Sequence, residues 1–235
     1  MHITSLQNDT IKHLTKLSKK KYRDAHAEIL VEGEHLIQEA QTAGIVKKTI
    51  GLSDYNDIQI TEHIAQKLST TISGSTQFAL ISKPKYELQK KERYLICDGV
   101  QDPGNLGTII RTAYSFGFDA VILSEDCVDE FNDKVIRATQ GSIFHFPVIR
   151  MSLDHAIQQL QQWDVPVYAS YLGENTYNLQ EIKPVPVAVV MGSEGSGVSE
   201  LVLQLCDGTV KIETSQFESL NVAIAAAIVC YTLRK

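Results

Sequence analysis

Two α/β units in succession, the second built on a parallel sheet, are what this chain should form. Three features point there: short apolar runs alternate with amphipathic stretches from residue 28 onward, a polar and charged segment at 82–93 interrupts that alternation, and the strand runs beyond it are almost wholly apolar. Strands covered on both faces read in that way, and an alternation of strand and helix favours parallel pairing. The segment, Ser-Lys-Pro-Lys-Tyr-Glu-Leu-Gln-Lys-Lys-Glu-Arg, marks the boundary. The expected division is therefore 1–82, a linker 83–93, and 94–235.

The elements follow in order. Asn8 or Asp9 can cap a first helix whose apolar positions Ile11, Leu14 and Leu17 recur every three residues. Its other face carries Lys12, Lys16, Lys19, Lys20, Lys21 and Arg23 with no carboxylate between Lys12 and Arg23, either an RNA-facing patch or a solvated helix face. A strand at 28–31, a helix at 34–42 stopped by Gly44, a strand at 46–52 and a helix at 61–68 complete a small α/β unit ending near Ile81. In the second unit, strands are expected at 94–97, 120–123, 165–169, 185–191 and 209–212, with helices at 106–116, 131–139, 153–161 and 199–205. The last helix, from 220 to about 233, is apolar almost all round, so it is either enclosed by its own subunit or packed against a second copy.

Composition bounds the function. With 235 residues, 43% of them apolar and 21% charged, the whole chain should fold. A formal charge of −6 excludes a surface that coats nucleic acid indiscriminately. The four cysteines, Cys97, Cys127, Cys206 and Cys230, form no C-x-x-C pair and have no histidine at ligand spacing, so they read as reduced core thiols and no metal is expected. The first residues lack the apolar stretch of a secretion signal, and the longest apolar run, 222–231, is too short to span a bilayer. A soluble, cytoplasmic protein is the expectation.

Ligands of open parallel sheets bind at loops leaving the carboxyl ends of strands, and three such loops are rich in glycine and small polar residues. The first, 98–107, holds Pro103, Gly104, Asn105 and Gly107 and enters a helix carrying Arg111. The second, Met191-Gly-Ser-Glu-Gly-Ser-Gly197, is not a P-loop, because no Lys-Ser/Thr pair follows its last glycine. Its glycine spacing also disfavours a dinucleotide-dependent oxidoreductase, and Glu194 would repel a pyrophosphate. The third, 213–221, ends in Ser219, a natural helix cap, and Asn221, an amide opening an apolar helix that needs a partner. No second carboxylate is tied by spacing to Glu194 and no histidine sits in these loops, which leaves glycosidase and Ser-His-Asp chemistry unsupported.

Taken together, Asp102-Pro-Gly-Asn-Leu-Gly-x3-Arg111-Thr-Ala, Gly192-Ser-Glu-Gly-x-Gly197 and Glu218-Ser-Leu-Asn-Val222 before an alanine-rich helix resemble, in order, the three motifs of the SpoU/TrmH family of SPOUT methyltransferases. Residues before the linker, opening on Glu32-Gly33-Glu34, are similar to the family's amino-terminal RNA-binding domain. The resemblance implies a SPOUT-type parallel sheet with a carboxyl-terminal trefoil knot, preceded by a small α/β RNA-binding domain. It also implies transfer of a methyl group from S-adenosylmethionine to a ribose 2′-hydroxyl, and a homodimer formed through the catalytic domain. Arg111, Asn105, Glu194, Ser219 and Asn221 match the catalytic centre. Met191, Gly192, Gly195, Gly197, Ile212 and Leu220, with Asn221 again, match the cofactor loops. RNA contacts are expected from Lys16, Lys19, Lys20, Arg23 and Arg137. Ribosomal RNA is preferred to transfer RNA as the substrate, and a catalytically silent RNA-binding or assembly module of the same fold is the alternative. One departure stands out: where the family usually reads Ile-Pro-Met-x-Gly, Ile212 is followed by Glu-Thr-Ser-Gln-Phe, one residue shorter and without the glycine.

Overall fold

The computed structural model describes every residue except Asn175, Pro184, Phe217, Glu218 and Lys235. Glu218, which opens the third motif, therefore lies outside the described residues. The chain divides into two compact units, Met1–Pro84 with Phe131–His145, and Lys85–Glu130 with Phe146–Lys235.

The first unit begins with β1 (His2–Ile3), α1 (Asp9–Lys16), α2 (Lys20–His26) and β2 (Glu28–Glu32). Asn8 caps α1 by accepting a hydrogen bond from the Thr10 N–H at 2.9 Å, and Ile11 and Leu14 face inward. The basic stretch is thus two helices rather than one. Then come α3 (Glu34–Thr42), β3 (Val46–Gly51), β4 (Ile58–Ile60), α4 (Glu62–Leu68) and β5 (Gln77–Ser82). The sheet order is β1-β4-β3-β5-β2, with β5 antiparallel to both β2 and β3. Its core packs Ile11, Leu14, Leu17, Ile50, Ile64 and Phe78, all at most 2% exposed.

The rest of the chain runs β6 (Arg93–Cys97), α5 (Pro103–Ser115), β7 (Ala120–Leu123), α6 (Asp133–Thr139), β8 (Val148–Arg150), α7 (Leu153–Gln162), β9 (Val167–Ser170), β10 (Tyr177–Asn178), β11 (Val187–Met191), α8 (Glu200–Leu205), β12 (Gly208–Lys211) and α9 (Val222–Thr232). Of these, α6 belongs to the first unit, where His145 meets Glu39 at 2.8 Å. The other strands form a seven-stranded sheet, β10-β12-β9-β11-β6-β7-β8, in which every pairing is parallel. All five residues of β6 and of β11 are buried, which explains the apolar runs at 94–97 and 187–191. Tyr94, Ile96, Ala188 and Val190 join Ala156, Ile157, Leu160 and Val202 of α7 and α8 in one core. Elsewhere α5 packs against α9, and α9 against β11. Buried Arg93 secures the far end of α9, donating from Nε to the Leu233 carbonyl at 3.0 Å, where a cation also complements the helix dipole.

The candidate active site

Parallel register brings strand ends together: Met191 lies opposite Cys97, Val190 opposite Ala169, and Val210 opposite Ser170. The loops that follow β6, β9, β11 and β12 therefore share one edge of the sheet. The Asp98 N–H donates to the Met191 carbonyl at 2.9 Å, and the Asp98 carboxylate accepts from the Ser199 N–H at 2.8 Å, joining the first loop to the second. Ser199 holds the cap position of α8 but makes no side-chain cap bond; its own N–H is the group bound by the Asp98 carboxylate.

Within 191–197, Ser193 and Gly197 exchange backbone hydrogen bonds of 3.0 and 3.1 Å and close a tight turn. Gly197 has φ of +69°, and a Cβ on Gly192 would lie 2.0 Å from the Gly197 carbonyl carbon and 2.1 Å from the Val198 nitrogen. Only glycine fits at 192. A cavity of about 510 Å³ opens beside this turn, of a size suited to a small-molecule ligand. Met191, Gly192, Gly195, Gly197, Ile212, Leu220 and Asn221, every position expected to hold the cofactor, line it. Glu194 and Ser219 line it as well. Sequence reasoning missed Tyr171, Leu172 and Leu179, which complete the wall. The first two follow β9 directly, so the strand-end rule applied to that strand finds them.

The polar groups form a directed chain. Asn221, not Ser219, caps α9, its side-chain oxygen accepting from the Ala223 and Ile224 N–H groups at 2.9 and 3.3 Å. Both residue types cap well, but α9 starts at Val222, so Asn221 holds the cap position and Ser219 lies two residues before it. With the oxygen committed, Nδ2 of Asn221 donates to Oδ1 of Asn105 at 3.1 Å. Asn105 must then turn its own Nδ2 outward, and it donates to Oε1 of Glu194 at 2.9 Å. Glu194 also accepts from the Gln101 and Asp102 N–H groups, each at 3.4 Å. Partial desolvation pushes the Glu194 carboxyl up, but the Asn105 amide and these backbone donors outweigh it and leave it below its usual value. Glu194 is therefore an ionised acceptor that locks the first loop, unsuited to acting as a base near neutrality.

Arg111 sits exposed on α5, whose start is set by Pro103 in the first turn and by Asp102 accepting from the Asn105 N–H at 2.8 Å. Among the described residues its guanidinium enters no ion pair, which leaves all its donors available to an anion. The thiols offer no competing nucleophile: burial holds Cys97 well above its usual value and Cys206 and Cys230 up to about 12, and it raises Cys127 too. No group of three or more His, Cys, Asp or Glu placed to hold a metal occurs among the described residues.

The expected RNA contacts divide. Lys16 and Lys19 are exposed; Lys20 is exposed but paired with Asp24 at 2.7 Å. Arg23 departs from expectation: only 5% exposed, it donates from Nη1 to the Leu17 carbonyl at 2.8 Å and ties α1 to α2, because its position on α2 points inward. Arg137 is held by Asp133 at 2.9 Å, Thr70 at 3.0 Å and Glu32 at 3.6 Å.

Comparison with known proteins was consistent across sequence and structure. Residues 92–231 match the SpoU rRNA Methylase family, and residues 8–85 match the MRM3-like substrate binding domain. A curated relative in Bacillus subtilis (strain 168), named 23S rRNA (guanosine(2553)-2′-O)-methyltransferase RlmP, is 38% identical over 99% of this chain and 98% of its own length. An rRNA methyltransferase from Sinorhizobium meliloti superposes with a TM-score of 0.89 at 26% identity, covering 99% of this chain and 96% of the other. Its AdoMet-bound crystal form gives a TM-score of 0.85 over 99% and 97% of the two chains.

Proposed function

The chain belongs to the SpoU rRNA methylase family, and from that premise we propose that the residues gathered at the β6, β11 and β12 ends carry methyl transfer to a ribose 2′-hydroxyl of ribosomal RNA. One observation carries the assignment of roles: the cofactor positions line a single cavity whose rim bears the Asn221–Asn105–Glu194 chain. The site suits S-adenosylmethionine, since apolar walls from Leu172, Leu179 and Val222 stand beside a backbone turn that a Cβ at Gly192 would fill. Bound there, S-adenosylmethionine supplies a methyl group on a sulfonium sulfur.

A guanidinium stays protonated in proteins, so Arg111 is not the base. It holds the RNA phosphate beside the acceptor ribose and places the 2′-oxygen in line. With the donor held in the cavity, the methyl group would pass from sulfur to the 2′-oxygen, the sulfur keeping the electron pair of the broken bond, and the hydroxyl proton would leave to a phosphate or water. Asn105 and Glu194 shape the acceptor pocket, and Ser219 and Asn221 flank the donor. Positioning is the main source of acceleration, worth several kcal/mol for well-aligned groups.

At the coarser scale we place RNA binding in 1–82 and catalysis in 94–235, joined by 83–93, with a trefoil knot near the carboxyl end as the family resemblance implies. We also place a homodimer contact on the catalytic half, supported by exposed Ile224 and Tyr231 along α9 and by Tyr114 on α5. A cytoplasmic place agrees with these roles; no helix among the described residues is long and apolar enough to cross a membrane. The function is tested by incubating the protein with S-adenosylmethionine and unmodified ribosomal RNA, digesting to nucleosides and weighing them. A 2′-O-methyl nucleoside is expected. Cofactor or RNA binding without any transfer would instead support an assembly module, the reading motivated by the shortened 213–217 loop.

A further inference from the structure

The first unit contains two adjoining hollows that the methyl-transfer site does not use. One, of about 270 Å³, has an apolar wall that includes Ile29, Phe78 and Phe131 and a polar rim that includes Ser18, Ser69, Thr70 and Arg137. The other, of about 380 Å³, is bordered by Gln7, Lys12, Lys16 and Lys67. Thr15 and Lys67 line both, so the two form one continuous groove along α1 and α4.

Their electrostatics differ. In the deeper hollow the Arg137 charge is answered by Asp133 and Glu32, while Glu32 also accepts from the Thr70 N–H at 3.0 Å and hydroxyl at 2.8 Å. That wall also carries Arg23 and Lys67, and it is rich in fixed donors and acceptors. In the shallower hollow Lys16 and Lys67 enter no ion pair among the described residues, and Lys12 meets only exposed Asp9 at 3.5 Å. A half-apolar cavity with a rim of fixed donors and acceptors, beside ammonium groups outside any strong ion pair, fits a base and its phosphates. Sequence-specific proteins read RNA chiefly from such unstacked nucleotides, because side chains cannot read the deep, narrow major groove of A-form helices.

We propose that the first unit captures one unstacked nucleotide of the substrate RNA, the base entering the hollow rimmed by Ser18, Ser69 and Thr70 and the flanking phosphates lying on Lys12, Lys16 and Lys67. This rests on the reading of the chain as an RNA methyltransferase, and it narrows the RNA contact expected of Arg137 to the rim of a base pocket.

The test uses the full chain and unmodified ribosomal RNA that the wild type methylates. Ser18→Trp fills the mouth of the deeper hollow from an exposed position between helices, and thermal melting checks that it folds. Its KM for RNA should rise roughly tenfold or more, as loss of one stacked base implies, with kcat and S-adenosylmethionine affinity unchanged. Lys16→Ala with Lys67→Ala should weaken RNA binding and flatten the slope of log affinity against log salt by roughly 1.4, the release expected for two single-strand phosphates. A folded Ser18→Trp with KM within twofold of wild type overturns the base pocket. An unchanged salt slope in the double lysine variant overturns the phosphate track. A wild type that methylates no RNA overturns the underlying function instead, and the outcomes are thereby distinguished.

Discussion

Asn221 does two things with one side chain: its oxygen caps α9 and its amide nitrogen orients Asn105. Asp keeps the capping oxygen but not the nitrogen, so Asn221→Asp should melt close to wild type while losing the directed chain, a separation that Ala cannot give because it also forfeits the cap, at about 1 kcal/mol. Arg111 is judged by two substitutions in single-turnover assays. Arg111→Ala should slow methylation and weaken RNA binding together, and Arg111→Lys should recover part of the binding but less of the rate, since an ammonium lacks the guanidinium's fork; unchanged chemistry in both removes Arg111 from the mechanism. At Gly192 the prediction is steric. Gly192→Ala forces a Cβ into the Gly197–Val198 backbone, and calorimetry should find S-adenosylmethionine binding lost while circular dichroism shows the sheet retained.

Among elements, α2 is tied down by charge. Asp24 on that helix meets Lys20 and Lys83. Partial burial pushes its carboxyl up, but the two ammonium groups prevail and hold it near 2 instead of 3.8. A carboxyl lowered on folding stabilises the native state above its unfolded value, and that contribution is lost as pH falls through the folded one. Denaturant midpoints should therefore fall more steeply between pH 3.8 and about 2 for wild type than for Asp24→Asn; parallel curves would deny the ion pairs a role. On α9, Val222, Ala223, Ala226, Val229 and Cys230 are buried but Ile224 and Tyr231 stay more than half exposed. Ile224→Lys should convert a light-scattering mass of two chains to one, and a wild type that already runs as a single chain contradicts the dimer.

Across the whole molecule, the sites most readable in the sequence are those dictated by strand ends. Gly192 directly follows β11, while Asn105 and Asn221 stand at the starts of the helices that the loops after β6 and β12 enter, and the apolar runs of β6 and β11 reveal two of those strand ends. Less readable is whatever distant partners decide. The bond from the Asn221 amide to Asn105 joins residues more than a hundred apart, which no local pattern announces. The grouping of 131–145 with the first unit depends on pairings such as Glu39 with His145, which leave no local pattern. Strands as short as β1 and β4 carry too few residues to show alternation. The claim on which the rest depends is that these strand-end loops act as one machine through their amide chain. Single-turnover methyl transfer by Asn221→Asp, at a temperature where it is fully folded, tests it: a misplacement of about 1 Å predicts a rate roughly 10²-fold below wild type, and a rate equal to wild type would contradict the account.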